Sequence, residues 1–143
     1  MGDHLVARVE DIPRDRGVLV EVAGRKIGLF CVGDEVYALH GVCPHQGGPV
    51  ATGGLFPRLC GRVENERLKE WNDYDNMVVA CPWHGWEFDL RTGVCLADPA
   101  RGLISYDVKV EDGNVVVKLP GRRPAVEPRA GAADESGVVT ERV

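Results

Sequence analysis

The chain has 143 residues and a formal net charge of −5, with 44% hydrophobic and 27% charged residues. That length suits one domain with a hydrophobic core of its own, and the composition is that of an ordinary globular chain. The acidic balance and the lack of a basic run argue against a nucleic-acid-binding protein, because nothing in the sequence can neutralise a series of phosphates.

No targeting or membrane-spanning segment is visible in the sequence. The N-terminal stretch MGDHLVARVEDIPRDRG has acidic residues where a secretory signal has an apolar core, and no uncharged apolar run approaches the roughly 18 residues of a membrane span. We therefore expect a cytoplasmic protein without a membrane partner. The five cysteines, an odd number, do not fit a disulfide framework in a compartment that keeps thiols reduced. Metal binding is the better interpretation for a cysteine near a histidine.

Short runs rich in β-branched residues, separated by Gly and Asp, predict strands along most of the chain. In chain order these runs are HLVARVEDI, VLVEVAG, RKIGLFCVGD, EVYALHG, NMVVAC, WEFDL, ISYDVKVED and NVVVKLP. Asp112-Gly113 lies between two alternating runs and indicates a hairpin turn, and AGRK between VLVEV and IGLFC indicates another. The sequence has neither heptads nor an internal repeat, so we predict one all-β domain of antiparallel strands.

The segment 53–76 departs from this pattern, because it is rich in charge and poor in strand signals. Within it, ENERLKEW predicts one or two turns of helix with Leu68 and Trp71 on one face. Loops of this length are usually functional or disordered. Since Leu55 and Phe56 are apolar as well, we expect this insertion to pack on the domain and to shape a docking surface for a partner.

The C-terminal stretch 120–143 contains Pro, Gly, Ala and charged residues with almost no large apolar side chain. Such a segment cannot bury enough surface to offset the entropy of ordering. We therefore predict a folded domain over residues 1–119, followed by a disordered tail.

Two loops carry side chains that can bind a metal. Residues 41–50, GVCPHQGGPV, place Cys43 and His45 on a stretch whose proline and glycines exclude a helix or a central strand. The second loop, CPWHG, places Cys81 and His84 between the strands NMVVA and WEFDL. Two thiolates and two imidazoles form a four-ligand set for a soft or borderline metal. A structural zinc site of the Cys2His2 type is one alternative that this chemistry permits.

The two loop sequences, CPHQGGP and CPWHGWEFDLRTG, closely resemble those of the Rieske 2Fe–2S domain family. The resemblance extends over roughly residues 4–119 and implies a Rieske-type antiparallel β-sandwich, whose base takes strands from both ends of the chain. It also implies a small cluster-binding subdomain, at about 40–99, in which the two loops hold one Rieske-type 2Fe–2S cluster. Zinc fingers lack the strand-flanked CPWHGWEFD context, so this resemblance favours the cluster over zinc.

The family's pattern also assigns the ligands of the cluster. Cys43 and Cys81 would bind one iron, and His45 and His84 would bind the other, so the same four residues are the metal site and the cofactor-binding site. A third loop, LADPAR, would cover the cluster with Pro99.

The resemblance further bears on the reduction potential, since Rieske centres span about −150 to +300 mV. High-potential members of the family carry a disulfide between the two loops, at positions that correspond here to Gly48 and Trp83. They also carry hydroxyl-bearing side chains where this chain has Trp86 and Phe88. Because fewer hydrogen-bond donors leave the reduced state less stabilised, we expect a low-potential cluster, as in Rieske ferredoxins and oxygenase Rieske domains.

The function that the resemblance implies is a one-electron carrier, which passes electrons from a reductase to an oxygenase or a similar redox enzyme. One alternative is the small subunit or a detached Rieske domain of a larger oxidoreductase such as nitrite reductase, and another is a zinc-stabilised interaction module. Apart from the loop histidines the sequence has only the terminal His4 and His40, and we identify no second metal site of two histidines and a carboxylate, so we expect no catalytic site of its own. The expected partners are redox proteins rather than nucleic acid or membrane.

Other residues near the loops have plainer interpretations. Structural thiols are expected at the three cysteines without a histidine at ligand spacing, which are Cys31, Cys60 and Cys95. His40 is expected to make a hydrogen bond in a loop and not to bind metal. Packing in the core is expected for Trp86, and partial exposure beside the cluster is expected for Trp83.

Overall fold

The computed structural model of the chain describes residues 2–44, 47–124 and 138–139. Within these ranges the strands, numbered in chain order, are β1 (Gly2–Arg8), β2 (Val18–Val22), β3 (Arg25–Val32), β4 (Glu35–His40), β5 (Gly54–Glu64), β6 (Arg67–Ala80), β7 (Glu87–Asp89), β8 (Ser105–Glu111), β9 (Asn114–Arg122) and β10 (Val138–Val139). Short 3₁₀ turns at Val9–Asp11 and Val50–Thr52 are the helical structure of the described residues. No helix in that part of the chain is long and apolar enough to cross a membrane. The all-β prediction is confirmed.

Six strands form an antiparallel base sheet in the order β1-β9-β8-β4-β3-β2, so both ends of the chain contribute to it, as the resemblance implied. Both predicted hairpin turns are confirmed. Ala23 (φ 51°) and Gly24 (φ 80°) connect β2 to β3, and Asp112 (φ 52°) and Gly113 (φ 79°) connect β8 to β9. A positive φ at both central residues matches the twist of the flanking strands in a two-residue hairpin.

The base sheet is buried on both faces. Ile27 and Leu29 of β3 belong to one apolar cluster, to which all six strands of the base sheet and Ile12 contribute. Phe30 points to the opposite face, because side chains alternate along a strand, and belongs to a second cluster with Val79 and Phe88. All of these side chains except Ile12 are 0% exposed. The second cluster therefore joins the base sheet to the strands that flank the CPWHG loop.

A second antiparallel sheet has the order β10-β5-β6-β7, and within it β5 and β6 form a long two-stranded ribbon. Most of the insertion at 53–76 lies in this ribbon, so the helix predicted for ENERLKEW is wrong. The chain instead reverses at Asn65 and Glu66, whose φ values of 52° and 63° build a tight hairpin turn. The backbone of the insertion is thus hydrogen-bonded across two strands and not within one helix.

The apolar side chains of the ribbon differ in their burial. Leu55 packs against the second apolar cluster, as expected. Phe56, Leu68 and Trp71 are 47%, 63% and 42% exposed, so their expected packing on the domain is wrong. Strand pairing places Leu68 opposite Val63, which is itself 61% exposed, towards the tip of the ribbon. Because cross-strand hydrogen bonds satisfy the backbone there, the ribbon forms without burying these side chains against the domain.

The predicted boundary at residue 119 falls inside β9, which extends to Arg122. Val138–Val139 forms β10 and pairs antiparallel with β5. This short strand departs from the predicted disorder, because β-branched residues readily extend the edge of a sheet. The remainder of the predicted tail, 125–137 and 140–143, lies outside the described residues.

Removing residues 125–143 should leave the domain folded. In the part of the chain that the structure describes, the two apolar clusters use buried residues up to Leu119 and have no member beyond it. We expect the melting temperature, followed by circular dichroism, to change by less than about 4 °C, which corresponds to roughly 1 kcal/mol for a domain of this size.

A matched truncation after Lys118 tests the other side of this prediction. It removes Leu119 from the core, where losing a buried leucine side chain costs about 2–5 kcal/mol, so the melting temperature should fall clearly. An equal fall in both truncated proteins would contradict the assignment of the core.

Candidate metal centre

The first loop leads from the base sheet into the ribbon and is closed by two backbone hydrogen bonds at Cys43. The Cys43 N–H donates to the Gly48 carbonyl (2.8 Å), and the Gly47 N–H donates to the Cys43 carbonyl (2.9 Å). Gly47 has a φ of 75°, a conformation that is costly for any residue with a Cβ atom. These contacts fix Cys43 at the start of a tight turn, whose next predicted ligand, His45, lies outside the described residues.

The second loop, between β6 and β7, has the same construction. The Cys81 N–H donates to the Trp86 carbonyl (2.8 Å), and the Gly85 N–H donates to the Cys81 carbonyl (2.9 Å). Gly85 has a φ of 73°, close to that of Gly47. In both loops the cysteine carbonyl accepts a hydrogen bond from a glycine four residues later, and the cysteine N–H donates to the carbonyl five residues later. The two cysteines therefore occupy equivalent positions in two similar turns.

The two loops face each other at Gly48. A Cβ atom at Gly48 would lie 2.7 Å from Cys81 Sγ and 3.2 Å from Trp83 Cβ. The first loop thus approaches the second so closely that no side chain fits between them. Gly48 and Trp83 are also the two positions that would carry the disulfide in the high-potential members of the family. A disulfide joins two residues that lie close together, so the short distance between Gly48 and Trp83 agrees with this correspondence.

The cysteine side of the loops is buried. Cys43 and Cys81 are each 3% exposed and belong to the second apolar cluster, together with Phe88. All five cysteines of the chain are buried, and none of them forms a disulfide. In the part of the chain that the structure describes, which excludes His45, no three His, Cys, Asp or Glu side chains converge as metal ligands. The structure therefore brings the two predicted cysteine ligands into one cluster of side chains.

The tip of the second loop faces solvent. Trp83 is 56% exposed, in agreement with the partial exposure expected for it, and the predicted ligand His84 is exposed as well. Trp86, two residues further on, is partly buried against the second apolar cluster, which confirms its expected role in packing. His84 thus lies at the exposed tip of its loop, whereas the thiols of Cys43 and Cys81 are buried.

A third loop, at 96–101, is attached to the segment that follows CPWHG. The Leu96 N–H donates to the Glu87 carbonyl (2.9 Å), and the Arg101 guanidinium lies over the Trp86 ring at 5.7 Å from its centroid. Pro99, which was expected to cover the cluster, lies in an exposed turn of this loop. Sequence reasoning drew attention to the LADPAR run but overlooked Arg101, whose contact with Trp86 depends on the tertiary fold.

Two groups near the loops have shifted pKa values. Burial raises the pKa of the Cys95 thiol, although backbone hydrogen bonds from Asp98 and Ala97 oppose this shift. Cys95 therefore stays protonated at neutral pH, as a structural thiol should. Burial, assisted by the charge of Arg25, lowers the pKa of His40. Its backbone N–H donates to the Ile104 carbonyl (2.8 Å), so His40 is anchored at the end of β4, before the first loop begins.

Comparison with known families shows a match to the Rieske [2Fe-2S] domain over residues 3–107. The chain belongs to this family. The 3-phenylpropionate/cinnamic acid dioxygenase ferredoxin subunit of Escherichia coli (strain K12) is 31% identical over 117 residues, which are 81% of this chain and 92% of that protein. The cofactor of the domain is accordingly one Rieske-type 2Fe–2S cluster.

Solved structures of other Rieske proteins share the fold. The nitrite reductase [NAD(P)H] small subunit of Erwinia carotovora is 26% identical, with a TM-score of 0.60 and 88% coverage of both chains. The ferredoxin of carbazole 1,9a-dioxygenase from Nocardioides aromaticivorans IC177 is 23% identical, with a TM-score of 0.63, and the match covers 82% of this chain and 97% of that one. The Rieske-type arrangement of antiparallel sheets expected from the sequence is confirmed.

The residues present fit a Rieske cluster. Two buried thiols stand on facing loops of equal construction, and an imidazole follows the second thiol at the exposed tip. Thiolates and imidazoles are the ligand types that such a cluster requires. The close approach at Gly48 keeps the two loops together, and the buried environment limits the access of water to the cysteine side.

Gly48→Ala should therefore disturb the metal centre. Its methyl group would clash with Cys81 Sγ at 2.7 Å and push the loops apart. We expect the purified variant to retain at most half of the wild-type iron per chain and to have a lower melting temperature. Gly61→Ala is the control, because a Cβ atom there meets its nearest neighbour, Leu68 Cδ1, at an ordinary 3.4 Å. Full iron content in Gly48→Ala would show that the loops tolerate separation.

Proposed function

We propose that the protein is a one-electron carrier, which uses a low-potential Rieske cluster to pass electrons from a reductase to an oxygenase or a similar redox enzyme. The observation that carries the proposal is the pair of facing, equally built loops in a chain of the Rieske family. The relative from Escherichia coli is the ferredoxin subunit of a dioxygenase and is matched over 92% of its length, which supports the same role here.

The proposed ligands are Cys43 and Cys81 on one iron and His45 and His84 on the other. Both thiols are buried in the second apolar cluster, whereas His84 is exposed at the tip of its loop. When bound, the cluster accepts and releases a single electron. Two neutral imidazoles in place of two thiolates make the centre less negative, and this raises its potential above that of a four-cysteine cluster.

The chain's own residues determine where electrons leave the site. Burial on the cysteine side excludes a partner there, whereas the exposed Trp83 and His84 allow a partner protein to make direct contact. Tryptophan is also enriched among the residues that contribute most to the binding energy of protein–protein interfaces. We therefore place the docking surface for the reductase and the oxygenase at the tip of the second loop.

The carrier is proposed to work without a catalytic site of its own and in the cytoplasm. A complex of reduced oxygenase and oxidised ferredoxin is known for carbazole 1,9a-dioxygenase. This chain shares the fold of one chain in that complex. In the described residues, the cysteines outside the proposed ligand set form no disulfide, as suits a reducing compartment.

A second candidate function is that of a small subunit of nitrite reductase. The chain matches the Erwinia carotovora subunit over 88% of both lengths. A subunit should remain bound to its enzyme during purification from the native host, whereas a carrier should be isolated alone. Affinity purification at physiological salt, followed by size-exclusion chromatography, separates the two candidates.

The ligand set predicts the metal content and the effect of a single substitution. The purified protein should contain two irons and two acid-labile sulfides per chain. His84→Ala should lose the cluster or change its electron paramagnetic resonance signal, because one imidazole is removed. His40→Ala is the control and should keep the wild-type signal, since His40 precedes the loop. Stoichiometric zinc without sulfide, in protein made with adequate iron, would refute the proposal.

The potential should lie near the bottom of the Rieske range, at roughly −150 to 0 mV. Phe88 is fully buried in the cluster of side chains that contains Cys43 and Cys81, and it has no hydroxyl group to donate. Phe88→Tyr adds a donor beside the thiolate side, so protein-film voltammetry should show a higher midpoint. Phe56→Tyr, on the exposed ribbon, should leave it unchanged. An unchanged midpoint in Phe88→Tyr with an intact cluster would place Phe88 away from the sulfur atoms.

A further inference from the structure

Arg101 connects the third loop to the second ligand loop. Its guanidinium carbon lies 5.7 Å from the centroid of the Trp86 ring, within the range of a cation–π contact. The Trp86 carbonyl in turn accepts the hydrogen bond from the Cys81 N–H that closes the second loop (2.8 Å). Trp86 therefore connects the charge of Arg101 to the backbone of Cys81, a proposed ligand.

The backbone of the third loop holds Arg101 in this position. Its carbonyl accepts a hydrogen bond from the Cys95 N–H (3.2 Å), and its own N–H donates to the Asp98 carbonyl (2.9 Å). Cys95 also bridges to Phe88 of β7, the strand that follows the second loop. Arg101 is thus tied to the second loop through both its side chain and its main chain.

The side chain of Arg101 forms an ion pair with Asp98. Arg101 Nε lies 3.4 Å from Asp98 Oδ2, with the two side chains 51% and 43% exposed. An ion pair this exposed contributes little to stability. Asp98 Oδ1 also accepts a hydrogen bond from the Ala100 N–H (3.2 Å), so the carboxylate shapes the turn as well as balancing the charge.

We propose that Arg101 is a positioning residue of the metal centre, which holds the third loop against Trp86 and whose positive charge raises the reduction potential of the cluster. This proposal rests on the proposed function, because it needs the cluster to be held by the two loops. Nothing in the loop sequences CPHQGGP and CPWHG assigns such a role.

The sign of the effect follows from the charge change on reduction. An added electron makes the site more negative by one unit, so a fixed positive charge nearby stabilises the reduced form. Arginine remains protonated in proteins, and its planar guanidinium keeps one geometry over the aromatic ring. Asp98 acts in the opposite direction, since its negative charge opposes reduction. Neutralising Arg101 should lower the midpoint potential, and neutralising Asp98 should raise it.

The test compares four single variants by protein-film voltammetry. Arg101→Gln should lower the equilibrium constant for reduction by about three- to tenfold, and so lower the midpoint potential. A tenfold change corresponds to about 59 mV for one electron. Asp98→Asn, which keeps an oxygen acceptor for Ala100, should shift the midpoint upwards. Arg101→Lys retains the charge, so its midpoint should stay close to the wild-type value, although the variant loses the planar stacking.

The ribbon provides a matched control in Arg62. Its guanidinium lies over Trp71 at 6.0 Å, it pairs with Glu64 at 3.1 Å, and its side chain is 44% exposed, so its setting is close to that of Arg101. Arg62 stands eight residues along β5 from Gly54, which pairs with Ala80 beside Cys81. At about 3.3 Å per residue this separation exceeds the Debye length of about 10 Å at 0.1 M salt. Arg62→Gln should leave the midpoint unchanged.

The outcomes separate this proposal from the one on which it rests. If the wild-type protein has no 2Fe–2S spectrum, the proposed function fails. If the visible circular dichroism of Arg101→Gln shows an intact cluster but its midpoint equals the wild-type value, the Arg101 proposal alone is overturned. A shift of equal size in Arg101→Lys or in Arg62→Gln would likewise overturn it, because the effect would then not depend on a charge at this site.

Discussion

Cys43 and Cys81 each lie at the start of a turn that is closed by the same pattern of two backbone hydrogen bonds. The remaining features of the metal centre are arranged around these two turns. Each turn depends on a glycine with a positive φ, at Gly47 and Gly85, and the two turns meet at Gly48, where no side chain fits. A 2Fe–2S cluster needs ligands at fixed separations from two distant parts of the sequence. Rigid main-chain turns provide this more reliably than long side chains on flexible loops, since their hydrogen bonds leave little backbone freedom.

The second apolar cluster connects this site to the fold as a whole. It takes Phe30 and Leu39 from the base sheet, Val79 from the ribbon, Phe88 from β7 and the two loop cysteines. The side chains that stabilise the contact between the sheets are therefore also those that exclude water from the thiols. As a consequence, changes that tune the potential from the buried side also alter packing, whereas changes at the exposed side, such as Arg101, act on charge with little effect on the core.

The ribbon and the third loop distinguish this chain from a minimal pair of ligand loops. The ribbon begins next to the first loop and returns into the second, yet Phe56, Leu68 and Trp71 remain exposed on it. The third loop, in contrast, lies against the second loop through Trp86. Of these two features, the third loop brings the Arg101 charge next to the second ligand turn. The ribbon's own pair of an arginine and a tryptophan, Arg62 and Trp71, lies further out along β5 and β6.

The sequence alone determined the all-β class, the hairpin turns at Ala23-Gly24 and Asp112-Gly113, and the two loops with Cys43 and Cys81. These features depend on local chemistry, because alternation, glycine at positive φ and paired cysteine and histidine spacing all lie within short stretches. The ligand roles of Cys43, His45, Cys81 and His84 and the domain boundary remain predictions.

The tertiary structure decided what depends on contacts between distant residues. The segment ENERLKEW has the apolar spacing of a helix, but it forms the end of β5, the hairpin turn and the start of β6, since cross-strand hydrogen bonds outweigh a weak local preference. The approach of Gly48 to Cys81 and the position of Arg101 over Trp86 bring together residues that are far apart in the chain. Only the packing of the loops against one another, which no local pattern encodes, produces these contacts.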